Sequence, residues 1–387
     1  MAGVALAALV AVGGVFVWQA MNGPVSLGLL TPRLEAMINS GLKDMQLRFG
    51  DSVIEWSEGR NLAHLQFIDV EALDVGGNVI ARVPRANVSL SGPALLNGEV
   101  APTKVELVGV NALLVRRADG GVQLGFQVAE EKASDKAGDS SEGVVKTILE
   151  AMLKPKAGDN LSRYLNRFAV RDAKLTVFDE ETRSYWNAEK AALTFDRKTD
   201  GVVVSVDAPL RLADKSTWLF TASAKYTNGS DNVALEAAFK PVRLSLLAAS
   251  GSGLNVLKGI DIPVQGNATC NLSMAGHLGA CRFVLAAGDG HMKLPALKKE
   301  PIHLKSATLT LDMDMQGNRY ALTELNWKGD TLRGRISGGG TFAFADDGAL
   351  ANLTADWTAE NVVIDAPNMF EDGLALGFAR TRPGYRY

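Results

Sequence analysis

The sequence predicts a mainly β protein with antiparallel strands, an N-terminal transmembrane helix and a few short helices. Three observations predict this fold class. The chain opens with an uncharged apolar stretch, apolar and polar residues alternate with a period of two through much of the rest, and Gly is abundant at 39 residues while Pro is sparse at 13. Many short strands separated by turns have this composition and this period.

Length, charge and cysteine content narrow the classes of protein. A chain of 387 residues, 47% of them hydrophobic, can form two or three domains or one extended architecture of repeated units. The net charge of −3 arises from 40 basic and 43 acidic residues spread along the chain, which leaves no large basic face for nucleic acid. Two cysteines are too few for a disulfide scaffold or a cysteine-built metal site.

Residues 1–21 are predicted to form a transmembrane anchor. The stretch from Ala2 to Trp18 carries no charge, and with the next three residues it approaches the roughly 20 residues that a helix needs to cross a bilayer. The aromatic ring of Trp18 suits the membrane interface. The alternative is a cleavable signal peptide, but the bulky Trp18 two residues before a cut after Ala20 fits the small-x-small pattern poorly.

The charged residues beside the anchor do not predict that the body of the protein lies in the periplasm. No basic side chain precedes the apolar stretch, whereas Arg33 and Lys43 follow it. Taken alone, the positive-inside rule therefore favours a cytoplasmic body, and the orientation needs other support.

Residues 22–126 are predicted to contain a short amphipathic helix and a first β unit. Thr31 is the expected N-cap, Pro32 the first helical residue and Gly41 the stop. From residue 46 to residue 126, short apolar runs are separated by glycine-containing turns, as in a series of strands.

Residues 127–168 are predicted to form a flexible charged loop followed by a helical segment, because 127–144 contain almost no large apolar side chain and 145–168 lack the strand alternation. Residues 169–387 are predicted to be β repeats. The clearest alternation places five apolar residues on one face, namely Ala307, Leu309, Leu311, Met313 and Met315. Antiparallel sheets with a single covered face show this pattern, and so does the core of an ordinary β-sandwich or barrel, which remains the alternative.

The sequence shows no catalytic or metal-binding constellation. The four histidines, at positions 64, 277, 291 and 303, lack the spacing of a metal site, and no nucleophile elbow or phosphate-binding loop is present. The triplet Gly338–Gly340 is interpreted as a bend or bulge between strands. We therefore expect no enzyme activity, no cofactor and no metal, and a membrane-anchored hydrolase is the function with least support.

The two cysteines are candidates for a cross-strand disulfide. If Ala275 and Gly276 form a two-residue hairpin turn, Met274 faces His277 and Cys270 lies directly opposite Cys281. A longer loop would separate the two residues, and they would then be two small buried hydrophobic residues instead.

Several stretches resemble the AsmA-like family of Gram-negative bacteria, most closely its YhdP-type branch. They are GPVSLGLLTPRLEAMI after the anchor, DSVIEWSEGRNLAHLQFIDVEALDVGGNVIARVPRANVSLSGPALLNGEVAPTKVELVGVNALLVRRADGGVQLGF, NRFAVRDAKLTVFDEETRSYWNAEKAALTFDRKTDG and GIDIPVQGNATCNLSMAGHLGACRFVLAAGDGHMKLP. The resemblance extends over nearly the whole chain after residue 22, and its motifs are loose structural patterns.

The resemblance implies an inner-membrane anchor with the body in the periplasm, and an elongated, curved, repeating β-groove that carries phospholipid towards the outer membrane. Its partners would be phospholipid, the inner membrane and other envelope proteins. The alternative is a structural scaffold or assembly factor for outer-membrane proteins, as on the TamB side of the superfamily, without a lipid conduit. The residues expected to line the groove are Leu193, Phe195, Val202, Val204, Val206, Leu309, Leu311, Met313 and Met315.

The chain departs from the family in two respects. Family members usually carry basic residues ahead of the anchor, and most continue far beyond the length of this chain. The last residues, GFARTRPGYRY, do not complete the strand pattern. A groove truncated at its C-terminus is therefore one of our expectations.

Overall fold

A computed structural model gives the fold over most of the chain. It describes residues 25–28, 30–39, 45–57, 62–92, 94, 101–118, 122–126, 164–293, 301–330, 332–344 and 350–364. The predicted anchor, the predicted charged loop, the predicted helical segment as far as residue 163, Gly41 and the C-terminal GFARTRPGYRY lie outside the described residues.

The described residues form 22 strands. In chain order they are β1 Val25–Ser26, β2 Met45–Arg48, β3 Asp51–Ser57, β4 Leu62–Asp74, β5 Val79–Leu90, β6 Pro102–Val108, β7 Asn111–Arg116, β8 Val122–Phe126, β9 Arg167–Asp179, β10 Ser184–Arg197, β11 Gly201–Arg211, β12 Thr217–Thr227, β13 Asn232–Arg243, β14 Ile260–Asp261, β15 Pro263–Ser273, β16 Leu278–Ala287, β17 Gly290–Met292, β18 Ile302–Asp314, β19 Arg319–Gly329, β20 Leu332–Phe344, β21 Leu350–Leu353 and β22 Asp356–Ile364.

The strands join into one large, open and mostly antiparallel sheet, which confirms the predicted mainly β class. From β3 to β6 and from β9 to β13, each strand pairs with the next along the chain, and the ladder continues through β15, β16, β18, β19, β20 and β22. The wholly antiparallel arrangement that we expected is wrong at one place, because β9 pairs in parallel with β6 and β7. Parallel neighbours need a connection of a dozen or more residues, and the chain between β8 and β9 is long enough.

Side chains along a strand normally alternate between the two faces of the sheet. In five neighbouring segments, at the same height of the sheet, two successive residues instead lie between side chains that point to the same face. The five pairs are Gly50–Asp51, Ile68–Asp69, Pro84–Arg85, Val108–Gly109 and Arg171–Asp172. We call this line the crease. At two of the steps an aspartate adopts a left-handed backbone conformation, with φ of 50°. A short polar side chain tolerates this conformation better than most, since it can bond locally.

Two short helical regions lie wholly within the described residues. Helix α1, Thr31–Asn39, packs Leu34 and Ile38 against the buried cluster around Phe67. The helix begins at Thr31, so Thr31 is its first residue and not the N-cap that we predicted. The Thr31 hydroxyl is hydrogen-bonded to the Ser52 hydroxyl at 2.7 Å.

The second helical region, residues 244–259, was not predicted. It consists of α2, Leu244–Leu247, and the 3-10 segments Ala248–Ser250 and Ser252–Gly259. It follows β13 and returns to the start of β10, where Gly251 bridges Ser184. We call these residues the strap.

Two other local predictions were wrong. The predicted helical segment was extended to Phe168, but Arg167 and Phe168 belong to β9 because they pair with β6 and β10. The triplet Gly338–Gly340 lies inside β20 and pairs regularly with β19, while the register shifts occur nearby.

Candidate functional site

A continuous row of apolar side chains crosses the sheet on one face. Residues directly opposite each other on neighbouring strands point to the same face. Following the pairs from strand to strand gives one row, which we call row one: Ile54, Leu65, Val88, Val105, Phe168, Phe195, Val204, Ala224, Leu235, Cys270, Cys281, Met313, Tyr320 and Gly340.

A second row lies beside row one, on the same face. It contains Phe67, Ala86, Leu107, Val170, Leu193, Val206, Ala222, Ala237, Ala268, Phe283, Leu311, Leu322, Gly338 and Trp357. Neither row contains a charged residue. We call the surface that the two rows define the apolar face.

The structure brings most of the predicted lining residues onto this face. Six of them belong to the rows, namely Leu193, Phe195, Val204, Val206, Leu311 and Met313. Val202 and Leu309 face the same way, since each lies two residues from a row member on its own strand. Met315 is different. Strand β18 ends at Asp314, and Met315 lies in the turn that follows.

The cover over the apolar face changes along the sheet. From β3 to β11 five side chains of the two rows are buried and the other eight are half-buried; the buried ones are Leu65, Phe67, Ala86, Phe168 and Phe195. Helix α1 packs against the buried cluster that contains Leu65 and Phe67. From β12 to β20 most side chains of the two rows are only half-buried, and Trp357 on β22 is 57% exposed. This second half therefore presents an apolar surface that the described residues do not fully cover.

Two cavities lie along this half-covered part. The first has a volume of about 660 Å³. Its lining consists of five residues of row one and the residues directly before and after each of them; the five are Leu235, Cys270, Cys281, Met313 and Tyr320. The second, of about 370 Å³, is lined by Leu311, Met313, Tyr320, Leu322, Phe342, Leu353 and Trp357. We call the second cavity the end pocket. The two cavities share Met313 and Tyr320 in their linings, so they are neighbours.

The strap meets the chain at the start of β10, where Gly251 bridges Ser184, and an aromatic cluster begins two residues further on at Trp186. The Trp218 ring centroid lies 5.8 Å from those of both Trp186 and Phe239. The indole N–H groups are satisfied locally, because Trp186 donates to the Ser184 hydroxyl and Trp218 donates to the Lys240 carbonyl. Buried indoles need such partners, so the cluster can present its ring faces to an apolar environment.

The opposite face carries cross-strand ion pairs. The Arg282 guanidinium forms a bidentate pair with Asp312 at 2.6 and 3.0 Å, and Arg171 lies 2.7 Å from Glu106. The hydrogen bond from Arg282 lowers the pKa of Asp312 below its ordinary value. One face of the sheet is therefore apolar and the other is polar and charged.

A disulfide joins Cys270 and Cys281 within the apolar face. Their Cα atoms are 4.1 Å apart. The turn differs from the predicted one, since Ser273 pairs with His277 across a three-residue loop. A register shift between Cys270 and Leu272 then compensates for the extra residue.

The structure also brings together two histidines that sequence reasoning had treated as unrelated. His291 and His303 are paired across β17 and β18, and their rings stack at 4.6 Å. The His303 ring nitrogens lie 2.5 Å from Asp330 and 3.2 Å from Asp289. Hydrogen bonds to Asp330 and then Asp289 raise the pKa of His303. No period-two pattern could have found this cluster, because its members come from three separate turns or strands.

Among the described residues, no group of three or more His, Cys, Asp or Glu side chains is arranged to hold a metal ion. Within the same part of the chain, no helix combines the length and apolarity needed to span a bilayer. A scan against protein-family models, a search of curated proteins and a search of solved structures found no match.

Proposed function

We propose that this protein is an inner-membrane-anchored periplasmic protein of the AsmA-like type. Its apolar face would shield the acyl chains of phospholipid during transport towards the outer membrane, in support of envelope homeostasis. The observation that carries the proposal is the pair of apolar rows, which continue across the sheet without a charged residue and are only half-covered from β12 onwards.

The described residues form no complete second layer over the apolar face after β12. A sheet normally buries its apolar face against another layer, and the described residues supply little cover after β12. Hydrocarbon is a suitable cover because each buried CH₂ group contributes about 0.8 kcal/mol and requires no hydrogen bond. Several CH₂ groups along one row would therefore hold a lipid by burial alone, without chemistry.

The crease is an argument for a curved sheet. Bulges and left-handed residues bend the strands that contain them. Asp69 and Asp172 take this conformation at the same height, and a proline, which cannot donate to the ladder, stands between them at position 84. A bend shared by neighbouring strands would turn a flat apolar face into a concave one, as acyl chains require.

One observation supports the periplasmic placement. The predicted anchor at residues 1–21 would tether the body to the inner membrane but does not select the side on which the body lies. The disulfide between Cys270 and Cys281 suits an oxidising compartment, since such bonds persist in the periplasm and are rare in the cytosol.

Site-specific photo-crosslinking in cells tests the proposal. A photoreactive amino acid is placed at Val204 or Leu235 on the apolar face, and in control proteins at the neighbouring Ser205 or Glu236 on the polar face. We expect phospholipid adducts, identified by mass spectrometry, at the first pair and none at the second. Equal labelling of both faces, or no lipid at either, would reject the proposal.

A second candidate function is a TamB-like scaffold for outer-membrane proteins. It is favoured by one observation: among the described strands, β22 pairs with β20 alone, so its other edge offers backbone groups to a client strand. Protein adducts at β22, with no lipid adducts on the apolar face, would favour this function over lipid transport.

A further inference from the structure

The larger of the two cavities contains the disulfide. Cys270 and Cys281 both line it, with Leu235 on the β13 side of the bond and Met313 on the β18 side. All four side chains point to the apolar face, because they follow one another in row one. The disulfide therefore faces a space of about 660 Å³ on the half-covered part of the sheet.

The two bonded cysteines differ in their exposure. Cys281 is only 5% exposed, whereas Cys270 is half-buried. Their neighbours in row one, Leu235 and Met313, are also half-buried, so neither closes the cavity over the bond. A reagent that enters the cavity therefore reaches Cys270 more readily than Cys281.

Access decides whether a disulfide is inert or labile. A thiolate breaks the bond by attacking one of its sulfurs, so a bond that a thiol can reach exchanges and a bond enclosed by packing does not. Backbone pairing continues on both sides of this disulfide, from Thr269 with Arg282 to Leu272 with Leu278. Cleavage of the S–S bond therefore does not require β15 and β16 to separate.

We propose that the disulfide is a thiol–disulfide exchange site of the folded protein, which a dithiol reductant reaches through the larger cavity. The first thiolate of the reductant attacks the Cys270 Sγ, the S–S bond breaks, and Cys281 leaves as a thiolate that takes up a proton. The second thiolate of the reductant then attacks the reductant's own sulfur in the mixed disulfide, and Cys270 leaves and is protonated. The protein gains two electrons and two protons, and the dithiol becomes a disulfide.

This inference goes beyond the proposed function and does not depend on it. Reduction would remove the covalent link between β15 and β16 while both strands stay in the sheet. The half-covered part of the apolar face would then carry two thiols in place of the bond between Cys270 and Cys281.

The rate of reduction tests the inference. The full chain in lipid nanodiscs is incubated with dithiothreitol, precipitated with acid, and its free thiols are labelled with a maleimide under denaturing conditions. We expect a rate that is proportional to the dithiothreitol concentration and is unaffected by urea below the unfolding transition. No reduction, or a rate that levels off with dithiothreitol or rises steeply with urea, would show that the bond opens only after unfolding and would overturn the inference.

Glutathione identifies the sulfur that is attacked. Because it is a monothiol, it leaves a mixed disulfide that acid can trap. We expect glutathione mainly on Cys270, localised by tandem mass spectrometry, with Cys281 as the free thiol. Glutathione mainly on Cys281, or equally on both, would overturn the assignment of Cys270 as the attacked residue.

Bulky side chains beside the bond test the route through the cavity. Leu235→Trp and Met313→Trp each place an indole next to the disulfide and should slow its reduction by dithiothreitol about tenfold, because the reductant must pass the ring to reach a sulfur. The control is Glu236→Trp, which adds the same indole to the polar face of β13 and should leave the rate unchanged. Circular dichroism checks that each variant keeps the wild-type sheet.

Equal rates of reduction in the wild type and all three folded variants would overturn the proposed route. The rate law and the glutathione site require no substitution, so the inference remains falsifiable if an indole disturbs the sheet.

Discussion

Cys270 on β15 and Cys281 on β16 lie directly opposite each other, with their Cα atoms 4.1 Å apart and their sulfurs bonded. Both belong to row one, between Leu235 and Met313. The disulfide therefore joins two neighbouring strands within the half-covered part of the apolar face.

The first prediction concerns the stability that this bond contributes. Replacing both cysteines, as in Cys270→Ala with Cys281→Ala, should lower the free energy of unfolding by about 3 kcal/mol, because the bond closes a loop in the unfolded chain. The measurement is urea denaturation of the full chain in detergent. Reductant should lower the free energy of unfolding of the wild type by the same amount and leave that of the double variant unchanged. An effect of reductant on the double variant would contradict the prediction.

The alternation of apolar and polar residues in the sequence was sufficient to predict a mainly β fold with one apolar face. Leu193, Val204 and Leu311 lie on one face because a strand has only two faces, and direct pairing carries each choice across the sheet. Their role in lining a lipid groove stays a prediction. The pairing of Cys270 with Cys281 was one of two alternatives that the sequence left open, and the structure forms it through a different turn from the one considered.

Features that depend on distant parts of the chain could not be predicted in this way. The parallel pairing of β9 depends on where a long connection returns, and the cluster around His303 depends on neighbouring turns. The strap was missed because short helical segments resemble apolar strands when only a few residues are considered.

The second prediction concerns pH. His303 links two turns through Asp330 and Asp289, while Lys305 also pairs with Asp330 and His291 stacks on the His303 ring. Since the folded-state pKa of His303 is raised, its stabilising contribution is fully present below the unfolded pKa and is lost as the pH rises through the folded value.

The pKa of Asp330 sets the lower pH limit of this stabilisation. Lys305 first, and then His303, lower the pKa of Asp330 to about 2, so its contribution is present above its ordinary value and is lost as the pH falls through about 2. His303→Gln should therefore destabilise the protein more at about pH 5 than at about pH 8, as measured by thermal unfolding. The control is His277→Gln in the hairpin turn, and an equal effect of His303→Gln at both pH values would disprove the prediction.

The third prediction concerns the strap. A Cβ atom built on Gly251 would lie 2.6 Å from both the Arg183 carbonyl oxygen and the Ser184 Cα, so only glycine permits this approach. Gly251→Ala should cost about 1–3 kcal/mol of unfolding free energy, because backbone must shift to accommodate the methyl group. Gly279→Ala is the control, since its nearest contact would be an ordinary 3.6 Å. Chemical denaturation of both variants provides the test, and equal stabilities would argue against a close crossing at Gly251.

The fourth prediction concerns the crease, where Asp172 has a φ of 50°. A β-branched side chain is strained in this left-handed conformation, which costs ordinary L-residues roughly 1–2 kcal/mol. Asp172→Val should therefore lower the free energy of unfolding by about that amount, whereas Asp172→Asn should retain wild-type stability because asparagine tolerates the same conformation. Urea denaturation distinguishes the two variants. If the crease bends the apolar face towards an acyl chain, Asp172→Val should also reduce lipid adducts at Val204. Normal stability together with normal lipid labelling in Asp172→Val would show that the left-handed step is not needed.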